Sequence, residues 1–274
     1  GTFLEGVPDF SQYAENDVVH LSDVSGDPTV LVDNTTYPLE IEELEDGDVS
    51  IKLSKFETKP TQVTDDELYA LAYDKMGLVK TRHGNRLSET MLDKAIHAFA
   101  PTEDTAETPV LLTTGTMDED GRKKLTRLDV IALRRKLDKL KVPKKGRRLV
   151  LCSDHVADLL EIDQKFQNQY HDYSTGVIMK MYGFEIYEAV NCPLFDCTTK
   201  KKKSFGSVAT VNDFEGSVFF YVPRMFKCKG GTKMYYSKAE NDPVNKRNLV
   251  SFTTRFVALP QKKEGAVGAI VSGK

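Results

Sequence analysis

Residues 64–100 carry the most regular pattern of apolar and polar positions in the chain. Apolar side chains recur there every three or four residues, which is typical of a helix with one buried stripe. Thr64 and Glu67 have the spacing of a capping box, and Pro101 follows the last apolar residue. We predict one continuous helix over residues 64–100, about 50 Å long at about 1.5 Å per residue, packed on a C-terminal sheet. The predicted stripe is Leu68, Leu71, Ala72, Met76, Val79, Leu87, Met91, Ala95, Ile96 and Phe99.

The region before this helix, residues 18–63, has the alternating pattern of strands. The last alternating run of this region, residues 48–63, has one apolar edge and few other apolar residues. This pattern predicts a two-stranded ribbon with a thin apolar face. Such a ribbon is only marginally stable alone in water, so we expect it to lie on another surface. Residues 1–17 lack periodicity and are predicted to be an arm that gains order against something else. The apolar edge is Val49, Ile51, Leu53 and Phe56, and the lysines beside it are Lys52, Lys55 and Lys59.

The second half of the chain mixes helix and strand signals, which indicates the α+β class. A helix that stops before Pro143 is followed by a short buried strand ending at Cys152 and by a helix over residues 154–167 with Ser153 as N-cap. The pattern of residues 226–274 predicts two or three antiparallel strands. A lysine run is placed at a loop tip. The first of these helices is assigned from Leu128, Ile131, Leu137 and Leu140, and the lysine run is Lys200, Lys201, Lys202 and Lys203.

Composition changes this picture little. The 274 residues are 40% hydrophobic and 29% charged, which is typical of a soluble globular protein, and the net charge of −3 gives no general argument for nucleic-acid binding. No apolar run approaches the roughly 18 residues that cross a bilayer, so we expect no membrane contact. The four cysteines are too few and too irregular for a disulfide framework. Gly1 in place of Met suggests a processed or engineered chain, and we expect that an N-terminal segment is missing.

The strongest candidate for metal chemistry is a set of three cysteines and one histidine. Cys152 and His155 are spaced like half of a zinc site, and Cys192 with Cys197 are candidates for the other half. The second pair lacks the tight two-residue spacing, so we favour the alternative in which Cys152 ends a buried strand and His155 opens a helix. The chain contains no GxSxG, HExxH, P-loop or GxGxxG motif, and we assign no catalytic residue, metal or cofactor.

The basic stretches offer a third class of function. The lysine run and the turn KKGRR at residues 144–148 are not interleaved with aromatic residues, as a single-strand binder would require. Charge runs of this kind are usually solvated loops. They are equally candidates for intersubunit contacts to the acidic stretch from Glu40 to Asp48.

The order of these elements resembles the HK97-type major capsid proteins of tailed bacteriophages. An arm, a strand ribbon, a long helix, an α/β region and long closing strands follow one another as in that family. Three phrases strengthen the resemblance over nearly the whole chain. They are LDKLKVPKKGRRLVLCSDHVADLLE at residues 137–161, STGVIMKMYGFEIYEAVNCP at residues 174–193 and KAENDPVNKRNLVSFTTRFVALPQKKEGAVGAIV at residues 238–271.

The resemblance implies a domain plan and a function. Residues 1–17 correspond to the N-terminal arm, 18–63 to the extended loop, 64–125 with 226–274 to the peripheral domain, and 126–225 to the axial domain. The implied function is structural and not enzymatic: self-assembly through hexamers and pentamers into an icosahedral shell around phage or prophage DNA. The protein would be made in a bacterial cytoplasm and reside in the virion.

The same resemblance sets the expected partners. They are other copies of the chain, a scaffold or maturation protease, and packaged DNA through non-specific contacts, with no cofactor. An encapsulin-like bacterial shell stays open as an alternative, as does, more remotely, a zinc enzyme built on Cys152, His155, Cys192 and Cys197. We expect intersubunit contacts at Val49, Ile51, Lys52, Leu53, Lys55, Phe56, Lys59, Lys200, Lys201, Lys202 and Lys203.

Overall fold

The computed structural model describes residues 2–15, 18–25, 45–64, 74–162, 180–242 and 244–274. Within these ranges it contains three α-helices: α1 over Lys75–Phe99, α2 over Arg127–Lys139 and α3 over Ser153–Ile162. The strands of the same ranges are β1 Ala14–Glu15, β2 Val18–Ser25, β3 Glu45–Lys52, β4 Ser54–Glu57, β5 Thr61–Thr64, β6 Val110–Leu112, β7 Arg147–Cys152, β8 Glu185–Ala189, β9 Leu194–Asp196, β10 Asp213–Tyr221, β11 Met225–Lys229, β12 Lys233–Ser237, β13 Arg247–Pro260 and β14 Val267–Val271.

A central sheet divides the core into two layers. Its order is β6-β14-β10-β7-β8, with β9 paired to β10. Because side chains alternate along a strand, neighbouring residues of β10 face opposite layers. Phe219 joins the layer with α2 and α3, whereas Phe220 joins the layer with the end of α1, where its ring lies 4.9 Å from that of Phe99. The sheet takes strands from both sides of the domain boundary expected at residue 125, and the domain division stays a prediction.

A second sheet is built around the 14-residue strand β13. β11 and β12 pair along one edge of β13, and β4 and β5 pair along the other, all antiparallel. Helix α1 lies across this sheet, with the rings of His83 and Phe252 5.8 Å apart. The predicted packing of the long helix on a C-terminal sheet is therefore observed.

The predicted start of the long helix is wrong. Thr64 is the last residue of β5 and pairs with Arg247, so its backbone is extended and does not cap a helix. Helix α1 instead begins after Asp74, whose carboxylate accepts a hydrogen bond from the Gly77 amide at 2.9 Å. The observed helix has 25 residues and is about 37 Å long, so it is shorter than the predicted continuous helix over residues 64–100. Residues 65–73, which include Glu67, lie outside the described residues.

The rest of the helix prediction survives. Pro101 follows the end of α1 by two positions, as the sequence predicts. The apolar stripe is buried along the C-terminal part of the helix and only half-buried at Met76 and Val79. The buried members of the predicted stripe are Leu87, Met91, Ala95, Ile96 and Phe99.

A two-stranded ribbon is present, but it is shorter than predicted. β2 and β3 pair antiparallel from Val18 with Lys52 to Ser25 with Glu45, and the short β1 pairs with β2. The residues that follow Leu53 leave the ribbon, since β4 and β5 pair with β13. Residues 26–44 lie outside the described residues.

The arm prediction for residues 1–17 also needs correction. Phe3, Leu4 and Val7 are buried in the subunit's own core. Phe10 stacks on Phe226 with ring centroids 5.7 Å apart, and its amide donates to the Lys227 carbonyl at 2.9 Å. Phe3, Leu4 and Val7 join one buried cluster and Phe10 packs against another, so the arm is ordered without a periodic apolar stripe.

Helix α2 occurs where the sequence predicts it but is turned about its axis. Thr126 and Asp129 form a capping box, and the Asp129 carboxylate also accepts from the Thr114 hydroxyl at 2.7 Å. These bonds hold the Asp129 side inward. Leu128, predicted to be buried, is 72% exposed. The buried apolar face is Val130, Leu133 and Leu137.

Helix α3 and the strand before it agree with the prediction in position. β7 ends at Cys152 and α3 starts at Ser153. The part of the predicted helix after Ile162 lies outside the described residues. No helix in the described ranges is long and apolar enough to span a bilayer.

Candidate assembly surfaces

The base of the ribbon is anchored in its own subunit. Leu53 is only 3% exposed and packs with Phe226, Cys228 and Val257. Ile51 is half-buried against the same cluster. Lys52 is exposed, whereas the side chain of Val49 lies outside the described part of the chain. Leu53 therefore has a structural role at the base, and we leave it out of any surface offered to a neighbour.

The other predicted contact residues of this region lie on the edge of the β13 sheet. Lys55 and Glu57 of β4 form an exposed ion pair of 2.5 Å, and this pairing lowers the pKa of Glu57. Phe56 is half-buried against α1, and Lys59 is exposed in the turn between β4 and β5. Phe56 and Lys59 line the same groove of about 460 Å³ between this turn and α1.

The groove has an apolar floor and a basic rim. Phe56 and Leu87 supply the floor, and Arg82 and Arg86 of α1 stand on the rim with Lys59. His83 is held at the bottom by the Thr61 hydroxyl, 2.9 Å from its Nε2 atom. Arg86 also pairs with the exposed Glu89 at 3.2 Å, which leaves Lys59 and Arg82 as the groove's uncompensated charges among its lining residues. Such a surface suits an acidic segment that carries apolar side chains.

Sequence reasoning missed the two arginines of this groove. Arg82 and Arg86 are four residues apart and therefore share one face of α1. The sequence does not show that Lys59 lies next to this face. That proximity arises because residues 54–64 turn back along β13 beside the helix.

The lysine run lies in a turn but its side chains are mostly engaged within the subunit. Lys200 pairs with Asp104 at 2.7 Å, Lys201 with Glu103 at 3.5 Å and Lys203 with Asp213 at 3.2 Å. Lys201 is the most exposed of the three, with 65% of its side chain accessible. The run thus fastens the turn after β9 to neighbouring loops, and only Lys201 offers substantial surface.

Lys202 is half-buried, and its ammonium group is engaged at the end of α1. Its ammonium donates to the carbonyls of His97 and Ala100, both at 2.8 Å, at the C-terminal end of α1. Burial lowers the pKa of Lys202 to about 8, and the nearby cations Lys263 and Lys94 act in the same direction. Lys202 therefore caps the C-terminal end of α1, and its predicted role as an intersubunit contact stays a prediction.

The arginines of the basic turn are also structural. Arg147 is almost fully buried and pairs with Asp138 at 2.7 Å, which lowers the pKa of that carboxylate. Arg148 donates to the carbonyl of Phe3 at 2.8 Å and to that of Glu5, and pairs with Glu185 at 3.1 Å. The turn therefore holds the N-terminal arm and the end of α2 in place.

The cysteine and histidine set does not form a metal site. His155 is fully buried, and both ring nitrogens face serine hydroxyls: Nδ1 lies 2.6 Å from Ser217 Oγ, and Nε2 lies 3.1 Å from Ser272 Oγ. Burial lowers the pKa of His155 to about 4 and raises that of Cys152 to about 12. Within the described residues, no group of three or more His, Cys, Asp or Glu side chains is placed to hold a metal ion. The arrangement fits the structural alternative, with Cys152 at the end of a strand and His155 in the first turn of a helix.

Solved structures of phage capsids share the architecture described above. The capsid of Ralstonia phage GP4 aligns with a TM-score of 0.68 at 10% identity, over 100% of this chain and 88% of that one. The capsid of the native GTA particle aligns with a TM-score of 0.66 at 9% identity, over 100% and 91%. Mycobacterium phage Che8 aligns with a TM-score of 0.61 at 15% identity, over 98% and 90%. The chain therefore has the α+β fold of phage capsid subunits, the HK97-like fold.

Sequence comparison alone does not reach this result. No family model matches the chain, and no curated relative matches it. The fold is thus shared at sequence identities where few individual residues are retained.

Proposed function

We propose that this chain is a phage major capsid protein that assembles into the icosahedral shell around packaged DNA. The observation that carries the proposal is the alignment of nearly the whole chain with subunits of phage capsids. The function is structural, and its principal partner is another copy of the chain. Its location is the virion.

The subunit itself has features that suit assembly. The ribbon of β2 and β3 is fixed at its base by Leu53, and its two strands pair with each other from Val18 with Lys52 to Ser25 with Glu45. Edge strands with unpaired backbone groups invite pairing or cover by another chain. We propose that the ribbon and the groove at Phe56 and Lys59 are contact surfaces between subunits, with Ile51, Lys52 and Lys55 as exposed or half-exposed members. Lys201, in the turn after β9, is a separate candidate contact.

An encapsulin-like shell is the alternative assembly. It would use the same subunit architecture with a different cargo. The solved structures reported above are capsids of phages and of a GTA particle, and for that reason we place the phage capsid first. The zinc-enzyme alternative is not favoured, since the ring nitrogens of His155 are both occupied by serines.

The test is electron microscopy of concentrated protein combined with a ribbon deletion. The wild-type chain should form capsomers or shells. Val19 and Ile51 are paired neighbours, so residues 20–50 can be replaced by a short Gly/Ser link that keeps Leu53 in its core. The deletion variant should retain the wild-type melting temperature and lose assembly. A wild-type chain that stays monomeric at every concentration contradicts the capsid function, and a deletion variant that assembles normally contradicts the role of the ribbon.

A further inference from the structure

Helix α2 has two apolar faces, and in the described part of the chain only one of them is covered. Leu133 and Leu137 are fully buried under the central sheet. On the opposite side, Leu128 is 72% exposed and Ile131 is 37% exposed. Single exposed leucines are ordinary, but two large apolar side chains one turn apart form a patch that points to an interaction.

The exposed face continues as a basic surface. Residues three or four positions apart share a helix face, and such steps lead from Leu128 to Ile131, Ala132, Arg135 and Lys139. All five side chains are exposed. We call these five residues the α2 face. The α2 face has two cations and no carboxylate. The nearest carboxylate on the helix, that of Asp138, lies at its margin and is paired with Arg147.

A surface of opposite character lies in the loop before α2. Met117 is 60% exposed, and Glu119 and Asp120 beside it are exposed as well. We call these three residues the acidic tip. Asp118 between them turns inward: its carboxylate accepts from the Arg122 amide at 2.9 Å and pairs with the Arg122 side chain at 2.9 Å. The tip is therefore held in shape before any partner arrives, which lowers the entropy cost of binding.

The two surfaces match in charge and in apolar content. In the described part of the subunit, no ion pair joins Glu119 or Asp120 to Arg135 or Lys139. A contact between two different patches of identical subunits is heterologous, and such contacts close into rings when the rotation permits. The α2 face of one subunit is thus complementary to the acidic tip of another.

We propose that in the assembled particle the α2 face binds the acidic tip of a second copy of this chain. The proposal rests on the capsid function proposed above and names the surfaces by which neighbouring subunits meet. Met117 would cover Leu128 and Ile131, and the carboxylates of Glu119 and Asp120 would face Arg135 and Lys139.

A reciprocal charge exchange tests this pairing. One variant carries Arg135→Glu and Lys139→Glu, a second carries Glu119→Lys and Asp120→Lys, and a third carries all four changes. The control is Lys262→Glu with Lys263→Glu, the same change in net charge at two exposed positions outside both surfaces. Assembly of the full-length chain is followed by sedimentation velocity and electron microscopy, and folding by circular dichroism and thermal melting.

We expect each double variant to stay folded and to need at least a tenfold higher protein concentration than wild type for assembly. The quadruple variant, which carries all four changes, should regain most of the wild-type assembly, and the control should behave as wild type. Double variants that assemble normally overturn the proposal while leaving the capsid function intact. A loss of assembly that the quadruple variant fails to restore also overturns the proposal. Particles that form normally but retain less DNA overturn it as well, because the α2 face would then bind another partner. A monomeric wild type overturns the capsid function and this contact with it.

Discussion

Lys202 closes the C-terminal end of helix α1, where its Nζ atom lies 2.8 Å from the carbonyl oxygen of Ala100. The last carbonyls of a helix lack partners within the helix and carry partial negative charge. Lys202, in the turn after β9, gives these carbonyls both a hydrogen-bond donor and a positive charge. The same turn is fastened by Lys200 and Lys203 to Asp104 and Asp213, so a stretch that looks like a solvated charge run is a structural clamp.

Lys202→Met should lower the free energy of unfolding. The substitution keeps the apolar stem and removes the donor from two partly buried carbonyls, at a cost of about 1–3 kcal/mol. Urea denaturation of the unassembled subunit measures the effect. The matched control is Lys201→Met, because Lys201 is 65% exposed and should change stability by less than about 0.5 kcal/mol. Equal losses in the two variants would contradict the clamp.

His155 should make the subunit sensitive to mild acid. Burial lowers its folded pKa from 6.5 to about 4, so between those values the unfolded chain binds the proton and the folded chain does not. Stability is therefore fully present above pH 6.5 and is lost as the pH falls toward 4, by about 3 kcal/mol in total.

His155→Gln separates this effect from the titration of other groups. The variant should be less stable than wild type at pH 7, since it keeps at most part of the bonding to Ser217 and Ser272. The difference between the two proteins should shrink as the pH falls from 6.5 to 4. His97, whose pKa burial also lowers, contributes equally to both. A difference that stays constant over this range in urea denaturation would show that His155 does not titrate as described.

Arg148 should control the order of the N-terminal arm. Its guanidinium holds the carbonyl of Phe3 at 2.8 Å and is itself fixed by Glu185 at 3.1 Å. Arg148→Ala should expose the arm, which hydrogen exchange reports as faster exchange over residues 2–7 with little change in the central sheet. Arg148→Lys keeps the charge but offers a single point donor, so its exchange should be intermediate. Unchanged exchange in the alanine variant would assign the arm's order to Phe3, Leu4 and Val7 alone.

The sequence predicts the fold well where a single periodic pattern decides the structure. The stripe from Leu87 to Phe99, the antiparallel ribbon and the strand-to-helix step at Cys152 and Ser153 all follow from local pattern. Errors occur where tertiary pairing overrides a local signal. Thr64 has the spacing of a cap, but its backbone is taken by Arg247 of β13.

The candidate surfaces were less predictable for the same reason. Leu128 and Ile131 fit a buried stripe as well as Val130 and Leu133 do. The bonds that Asp129 makes with Thr126 and Thr114 hold the other face inward. Likewise a run of four lysines has no internal signal for which member caps the helix. The positions of Asp104, Asp213 and the end of α1 decide it, and all of them are distant in sequence.

The groove between α1 and the turn of β4 and β5 should contribute to assembly through its charge. Lys59→Glu combined with Arg82→Glu reverses the two uncompensated charges on its rim and leaves Phe56 and Leu87 in place. Because both changed side chains are exposed, the melting temperature of the unassembled subunit should change little. Assembly should weaken, and for the wild type the same contact should weaken as salt rises, since exposed charge pairs are screened over about 8–10 Å near physiological ionic strength.

The matched control is Lys59→Arg with Arg82→Lys, which exchanges the side chains and keeps the charge. Light scattering against protein concentration, at low and high salt, compares the three proteins. The charge-reversed variant should require more protein at low salt and lose the wild type's salt dependence, while the control retains it. If the reversed variant assembles like the control at every salt concentration, the groove does not take part in the contact, and the basic rim serves only to keep that side of the helix solvated.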